Sequence, residues 1–371
     1  QNKIYQNFIL EIFKTFLTIL FGLTLIAITV RAVSFLELIV DSGYSVNTYF
    51  KYSLFNLFGI IPKFIPLSFL SAMTIFILKH IQDGELTILW TSGVKKIQVV
   101  NLFLIISVLM SVLYLLFSTY ISPQALNNSR YLLSQNTFTS ISPTIKPQKF
   151  SDSFSGFTFF VEEKTNNELK NIFLNDKNKF LKNLSPNSTS TDETTIFAKN
   201  GVVKEKKLFL FNGQIISSQK DLKKNDIIKF SQLDIDLSNL NTNTIKKPKL
   251  QELSTMRLLG CFTKFSDNDK ICNDNFKREI IPNIVRRVIL PFYIPVLALI
   301  SSLLLIKFKN GSFNKIGIFS FGFIILLFAE ISIRYTGIFN SLILVFALVP
   351  LILILILYSF LIVQFNKEIK I

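Results

Sequence analysis

Six stretches of the chain, each about 20 residues long and nearly uncharged, leave it little choice of fold. They span residues 12–30, 53–78, 97–121, 288–306, 316–333 and 338–363. About 20 helical residues cross a hydrocarbon layer roughly 30 Å thick, and a helix satisfies its own backbone hydrogen bonds there. Each stretch is therefore read as a transmembrane helix. Pro62 and Pro66 fall inside the second, and Lys63 interrupts it. Glu330 lies near the end of the fifth. No small-residue cleavage site follows the first stretch, which reads as a retained span. Charged residues make up 17% of the sequence, against about 25% in soluble domains, as a chain with this much lipid contact requires.

Residues 122–280, between the third and fourth spans, have a different character, rich in Asn, Ser, Thr and Lys. They hold short bursts that alternate apolar and polar residues: GFTFFVEE at 156–163, NIFLND at 171–176, LFLFNGQIISS at 208–218 and DIIKFSQLDIDL at 226–237. Period-two alternation signals strands. Asn200-Gly201 and Asn212-Gly213 are dipeptides favoured in tight hairpins. Short strands with polar turns indicate an all-β sandwich or jelly roll. The expected fold is an α-helical membrane protein with six transmembrane helices in a 3+3 arrangement and an inserted all-β domain, a β-jelly roll. Residues 1–121 hold three spans, 122–280 the β domain and linker, and 281–371 the last three spans.

Lys and Arg in short loops set the orientation. With the N-terminus inside, the inner segments carry Lys3, Lys14, Lys79, Lys95, Lys96, Lys307, Lys309, Lys315, Lys367 and Lys370. The outer short loops hold little beyond Arg31, Lys51 and Arg334. Both termini are then cytoplasmic, and the β domain lies outside. The net charge of +16 reads as basic inner loops facing anionic lipid. No nucleic-acid-binding module is recognisable. Two cysteines, Cys261 and Cys272, and the single His80 are too few for a zinc site or a Cys/His nucleophile pair.

Between spans two and three lies a polar island at 82–96. Asp83 or Gly84 can cap a helix there, and Glu85 suits its positive end. Leu86, Leu89, Trp90 and Val94 fall on one helical face, and Gly93 can end the helix. The stripe either packs on the inner ends of the protein's own spans or fills a groove on a cytosolic partner. Trp90, the single Trp, is of a type enriched among interface anchors.

The proline pair of span two, the run DGELTILWTSGV at 83–94, SPQ at 122–124, and Arg286, Arg287 and Pro291 at the start of span four occur in an order and spacing that resembles the lipopolysaccharide export permeases. These are the F and G subunits of the Lpt transporter, and the β domain leans towards F. The resemblance implies a non-catalytic membrane subunit of an ABC transporter in the inner membrane of a Gram-negative bacterium. It extracts lipopolysaccharide from the outer leaflet and passes it to a periplasmic jelly-roll bridge protein for delivery to the outer membrane. The implied partners are a cytosolic ABC ATPase dimer and a second homologous permease subunit. The island becomes the coupling helix, with Glu85 as polar contact, Leu86, Leu89 and Trp90 as anchors, and Gly93 closing the motif. No cofactor is expected in this chain: it lacks the G-x4-G-K-[ST] loop that cradles phosphates, so ATP is used by the partner.

The same resemblance suggests lipid contacts. Arg31 would meet lipid phosphates, which an Arg can bind with two hydrogen bonds, or would simply snorkel to the interface. Arg286 and Arg287 face the outer headgroup region as phosphate ligands or anchors. Arg334, four residues after Glu330, suits a same-face ion pair or lipid. Phe157 and Phe159, with Val161, form either ordinary core or an acyl-chain slide. Cys261 and Cys272 are either a disulfide or two free thiols. Two alternatives stand beside this reading. One is a permease of another ABC class with a large external domain, serving lipoproteins or efflux. The other is a non-transporting membrane sensor.

Overall fold

The computed structural model describes residues 2–36, 45–135, 147–154, 157–165, 167–177, 193–204, 207–219, 224–236, 249–263, 274–306, 311–338 and 341–369. Cys272 lies outside them, as does the side chain of Cys261, so the disulfide question does too.

Six helical stretches are long and apolar enough to cross a membrane: Lys3–Phe35, Val46–Gln82, Lys96–Leu133, Arg278–Leu305, Lys315–Thr336 and Ile343–Glu368. The helical elements are α1 (Asn2–Phe35), α2 (Val46–Gln82), α3 (Glu85–Thr91), α4 (Lys96–Leu116), α5 (Ser122–Gln135), α6 (Thr255–Thr263), α7 (Asp274–Val288), α8 (Tyr293–Ser302), α9 (Gly311–Thr336) and α10 (Ser341–Ile369). Most spans outrun their predicted ends, because a helix continues through polar flanks once nucleated.

Prolines shape two of the spans. Span three does not end at residue 121 as expected: the helix passes through a π-turn at Phe117–Ile121 and runs on as α5. Pro123 lies inside this continuous run, where its missing N–H leaves the Thr119 carbonyl without its helical donor. Span four is broken instead of continuous. Helix α7 gives way to a 3-10 turn at Leu290–Phe292 with Pro291 at its start, followed by α8 and a second 3-10 turn at Leu303–Leu305. Irregular backbone at membrane depth is tolerated where protein surrounds it, and every residue of α8 except Pro295 is buried.

The chain divides into two compact units. One comprises Gln1–Thr29, Phe55–Asn127 and Lys249–Ile371, the other Val30–Leu54 and Asn128–Pro248. In the first, Phe16 of α1, Phe76 of α2, Phe103 of α4 and Ala298 of α8 share one apolar core. The return segment 249–263, assigned with the β domain on sequence, belongs to this helical unit. Leu250, Leu253 and Leu258 pack with Ile280 of α7.

The second unit holds six strands: β1 (Ser151–Phe154), β2 (Phe157–Thr165), β3 (Glu168–Asp176), β4 (Glu193–Lys204), β5 (Lys207–Gln219) and β6 (Lys224–Asp236). They form one antiparallel sheet in the order β1-β2-β3-β4-β5-β6. The inserted all-β class is as expected. The topology among the described residues is a meander, in which every strand pairs with its sequence neighbour, without the crossovers of a double-sheet jelly roll.

Neither Asn-Gly dipeptide is a turn. Asn200 and Gly201 lie inside β4, opposite Phe211 and Leu210, and Asn212 and Gly213 lie inside β5. The glycines answer to crowding. A Cβ at Gly201 would stand 2.5 Å from Ile172 Cδ1, and one at Gly213 would stand 2.2 Å from the Phe197 carbonyl oxygen. Asn212, with φ 52°, and Asn171 in β3, with φ 49°, adopt the left-handed conformation that Asn tolerates. Register is unchanged on either side of both. Left-handed residues and strand glycines mark sharp local bends. The sheet buries Phe157, Phe159, Val161, Leu174 and Leu210 in one apolar cluster.

Candidate functional site

Helix α3 begins without a side-chain cap. Its N-cap, Gly84, has φ 73°, which an L side chain rarely adopts. Gly93, with φ 91°, ends the motif as expected. Seven residues are too few for an independently stable helix in water, so contacts with the bundle must hold α3. Leu86 and Leu89 supply them: both are buried in the same apolar core as Phe76 and Phe103. Of the two sequence readings, packing on the protein's own spans thus describes these two leucines.

What α3 turns outward is a different face. Ile88 is 68% exposed, and Glu85, Thr87 and Thr91 are exposed with it. Trp90 is half-buried and lines a cleft of about 810 Å³ with Val94, Lys96, Ile97, Phe365 and Glu368. The cleft therefore joins the end of α3 to the last turns of α10. Lys96 fixes its floor, donating from Nζ to the Leu305 carbonyl at 3.0 Å and pairing with Glu368. Its ammonium also lies 5.5 Å from the Phe365 ring centre.

The C-terminal half of α7 carries the arginines. Arg286 pairs with Glu330 at 2.7 Å. Of the two readings of Arg334, the same-face pair is not the one formed: the Glu330 carboxylate of α9 points to α7, and Arg334 is exposed in the last turn of α9. Arg287 is only 6% exposed. Its guanidinium donates to the carbonyls of Leu253 (2.9 Å), Gln251 (3.1 Å) and Leu250 (3.4 Å), and to Thr255 Oγ1 at 3.0 Å. A buried charge survives only when it is well hydrogen-bonded, and here four acceptors serve its two terminal nitrogens. The Thr255 hydroxyl in turn donates to the Thr119 carbonyl at 2.9 Å. Tyr114, Lys63 and Asn283 line a small crevice beside both arginines.

The other candidates are dispersed. Arg31 is exposed near the end of α1. Phe157 and Phe159 are about 1% exposed, their rings 4.9 Å apart in the core of the sheet.

Sequence reasoning missed one cluster. His80 is buried in the last turn of α2 and meets Glu85 at 3.1 Å and Glu11 of α1 at 3.4 Å. The sequence shows a lone His beside a helix start, but nothing in it brings Glu11 alongside.

A family model described as Lipopolysaccharide export system permease LptF/LptG matches residues 8–364 of the chain. A search of curated proteins returns no match.

Proposed function

The chain belongs to the lipopolysaccharide export permease family, and from that premise we propose that it is the membrane subunit through which a cytosolic ABC ATPase dimer drives lipopolysaccharide out of the inner membrane's outer leaflet. The observation that carries this reading is the family match over nearly the whole chain, from the first span to the last. The partner ATPase supplies the energy. A second homologous permease completes the lipid cavity, and a periplasmic bridge protein receives the lipid from the β domain. The short-loop lysines favour cytoplasmic termini and a cytoplasmic α3.

The outward face of α3 suits the coupling role. Leu86 and Leu89 fix the helix to the bundle, which leaves Ile88 and the Trp90 edge to enter a groove on the partner. Truncating an apolar anchor at such an interface typically costs about 2 kcal/mol or more. Replacing an exposed residue leaves the fold intact. The test is co-purification of the ATPase dimer with the Ile88→Asp protein from detergent. The expected result is loss of the ATPase, with the variant's melting temperature unchanged. Retention of the ATPase at wild-type stoichiometry would remove α3 from the interface. Failure of the wild-type protein to release lipopolysaccharide to an acceptor in ATP-driven proteoliposomes would overturn the transport assignment itself.

A further inference from the structure

Three elements converge on the imidazole of His80, which is 2% exposed. The ring meets Phe8 of α1 edge-on, with centres 5.1 Å apart, and Phe76, one turn back on α2, at 4.0 Å. Nδ1 lies 2.9 Å from the Phe76 carbonyl oxygen. A carbonyl only accepts, so Nδ1 is the donor in that contact. Nε2 faces two carboxylates: Glu85 Oε2, in the first turn of α3, at 3.1 Å and Glu11 Oε2 of α1 at 3.4 Å; a carboxylate only accepts, so Nε2 bonds them as a second N–H donor of the ring. The Lys79 ammonium holds the other Glu11 oxygen at 2.5 Å. Glu11 is thus bound by two successive residues of α2, and Glu85 reaches the same ring from α3.

An apolar side chain would fill this slot without desolvating a polar ring. What the ring adds is a polar bridge between two segments that the apolar core contacts separately. The bridge stands at the uncapped start of a seven-residue helix. Glu85 keeps 56% of its side chain exposed while it reaches the buried ring.

We propose that His80 is a positioning residue that ties α3 to α1 through Glu85 and Glu11, so that a push on α3 is passed to the first span and not absorbed by local fraying. The mechanical consequence rests on the reading of α3 as the partner-docking helix; the bridge itself does not.

Hydrogen exchange of the full-length protein in detergent tests the bridge without any partner. The readout is the set of amides at 86–92, with those of α4 as internal reference. In His80→Leu the α3 amides exchange about tenfold faster or more, since a hydrogen bond to a charged group is lost, while α4 stays protected. His80→Gln keeps a donor at the Nε2 position and restores most of the protection. His80→Asn keeps only the Nδ1 donor and does not. Glu11→Gln, on the partly exposed face of α1, gives a smaller acceleration at the same amides. Unchanged exchange of α3 in His80→Leu overturns the proposal. So does equal acceleration in His80→Gln and His80→Leu, since the ring would then act by packing alone. Should His80→Leu fail to fold, Glu11→Gln and His80→Gln carry the comparison. Loss of the bridge with ATPase binding intact, or the reverse in Ile88→Asp, separates the failure of this proposal from that of the docking reading.

Discussion

Arg287 shows how a residue that stands out in a sequence can be turned to unexpected work. Two adjacent arginines beside an apolar span suggest a headgroup contact, and Arg286 retains some of that character with a third of its side chain exposed. Arg287 instead faces inward and gathers three carbonyls and one hydroxyl of the return segment 250–255. Its fork-shaped guanidinium can serve several acceptors at once, which a Lys ammonium cannot match in geometry. Arg287→Met should therefore strand buried carbonyls at about 1–3 kcal/mol for each that finds no water. The expected outcome is a melting temperature several degrees lower in detergent, with protease cutting concentrated at 249–263. Arg287→Lys should fall between Met and wild type. The neighbouring arginine supplies the contrast, since Arg286→Met removes only a partly exposed ion pair and should cost about 1 kcal/mol or less. The sequence located both arginines but could not rank them. Burial of one and exposure of the other follow from their being successive residues of α7, which point to different faces of a helix, and from which face meets the return segment.

At the scale of the helix, prolines and hydroxyls act together. A proline within a helix frees the carbonyl four residues before it. Pro123 frees that of Thr119, which receives the Thr255 hydroxyl. Pro295 frees the carbonyl of Pro291, which receives the Ser111 hydroxyl at 3.0 Å. Pro350 frees that of Phe346, which lies 3.5 Å from the Tyr293 hydroxyl, the two rings being stacked. In each case the donor comes from a different helix, so a local break becomes a tie between helices. Pro282 frees the Arg278 carbonyl, and there the neighbour is Gly337, where any Cβ would stand 2.0 Å from that oxygen. Ser111→Ala should leave the Pro291 carbonyl short of a partner in an apolar setting and lower stability by about 1 kcal/mol. Ser111→Thr keeps the hydroxyl and should lower it less. Thermal unfolding of the two variants side by side checks this. Helix existence was legible in the sequence because apolar length announces a span. The break in span four and the run-through after Ser122 were not, since a proline reads the same whether a distant hydroxyl rescues it or not. The Asn-Gly pairs failed in the same way: the dipeptide reports a backbone need, and only the packed sheet reveals whether that need is a turn or a bend.

For the molecule as a whole, the count of crossings decides what its parts can reach. Two spans precede α3 and three precede the strands. An even number returns the chain to the side of its N-terminus, and an odd number leaves it on the other. The α3 face and the β domain must then be exposed to different compartments if all three stretches cross, whichever way the protein is inserted. The lysine distribution favours the sense proposed above, with α3 inside. Single cysteines placed on a background with Cys261 and Cys272 changed to Ser test both statements. Ile88 on α3 and Lys170 on β3 are suitable sites because both side chains are more than half exposed. In cells with a permeabilised outer barrier and an intact inner membrane, a membrane-impermeant maleimide should label Lys170→Cys and spare Ile88→Cys. Breaking the inner membrane should make both reactive. Labelling of both before lysis would mean that one of the three stretches fails to cross. Labelling of Ile88→Cys alone would invert the chain and place the proposed coupling face out of reach of any cytosolic ATPase.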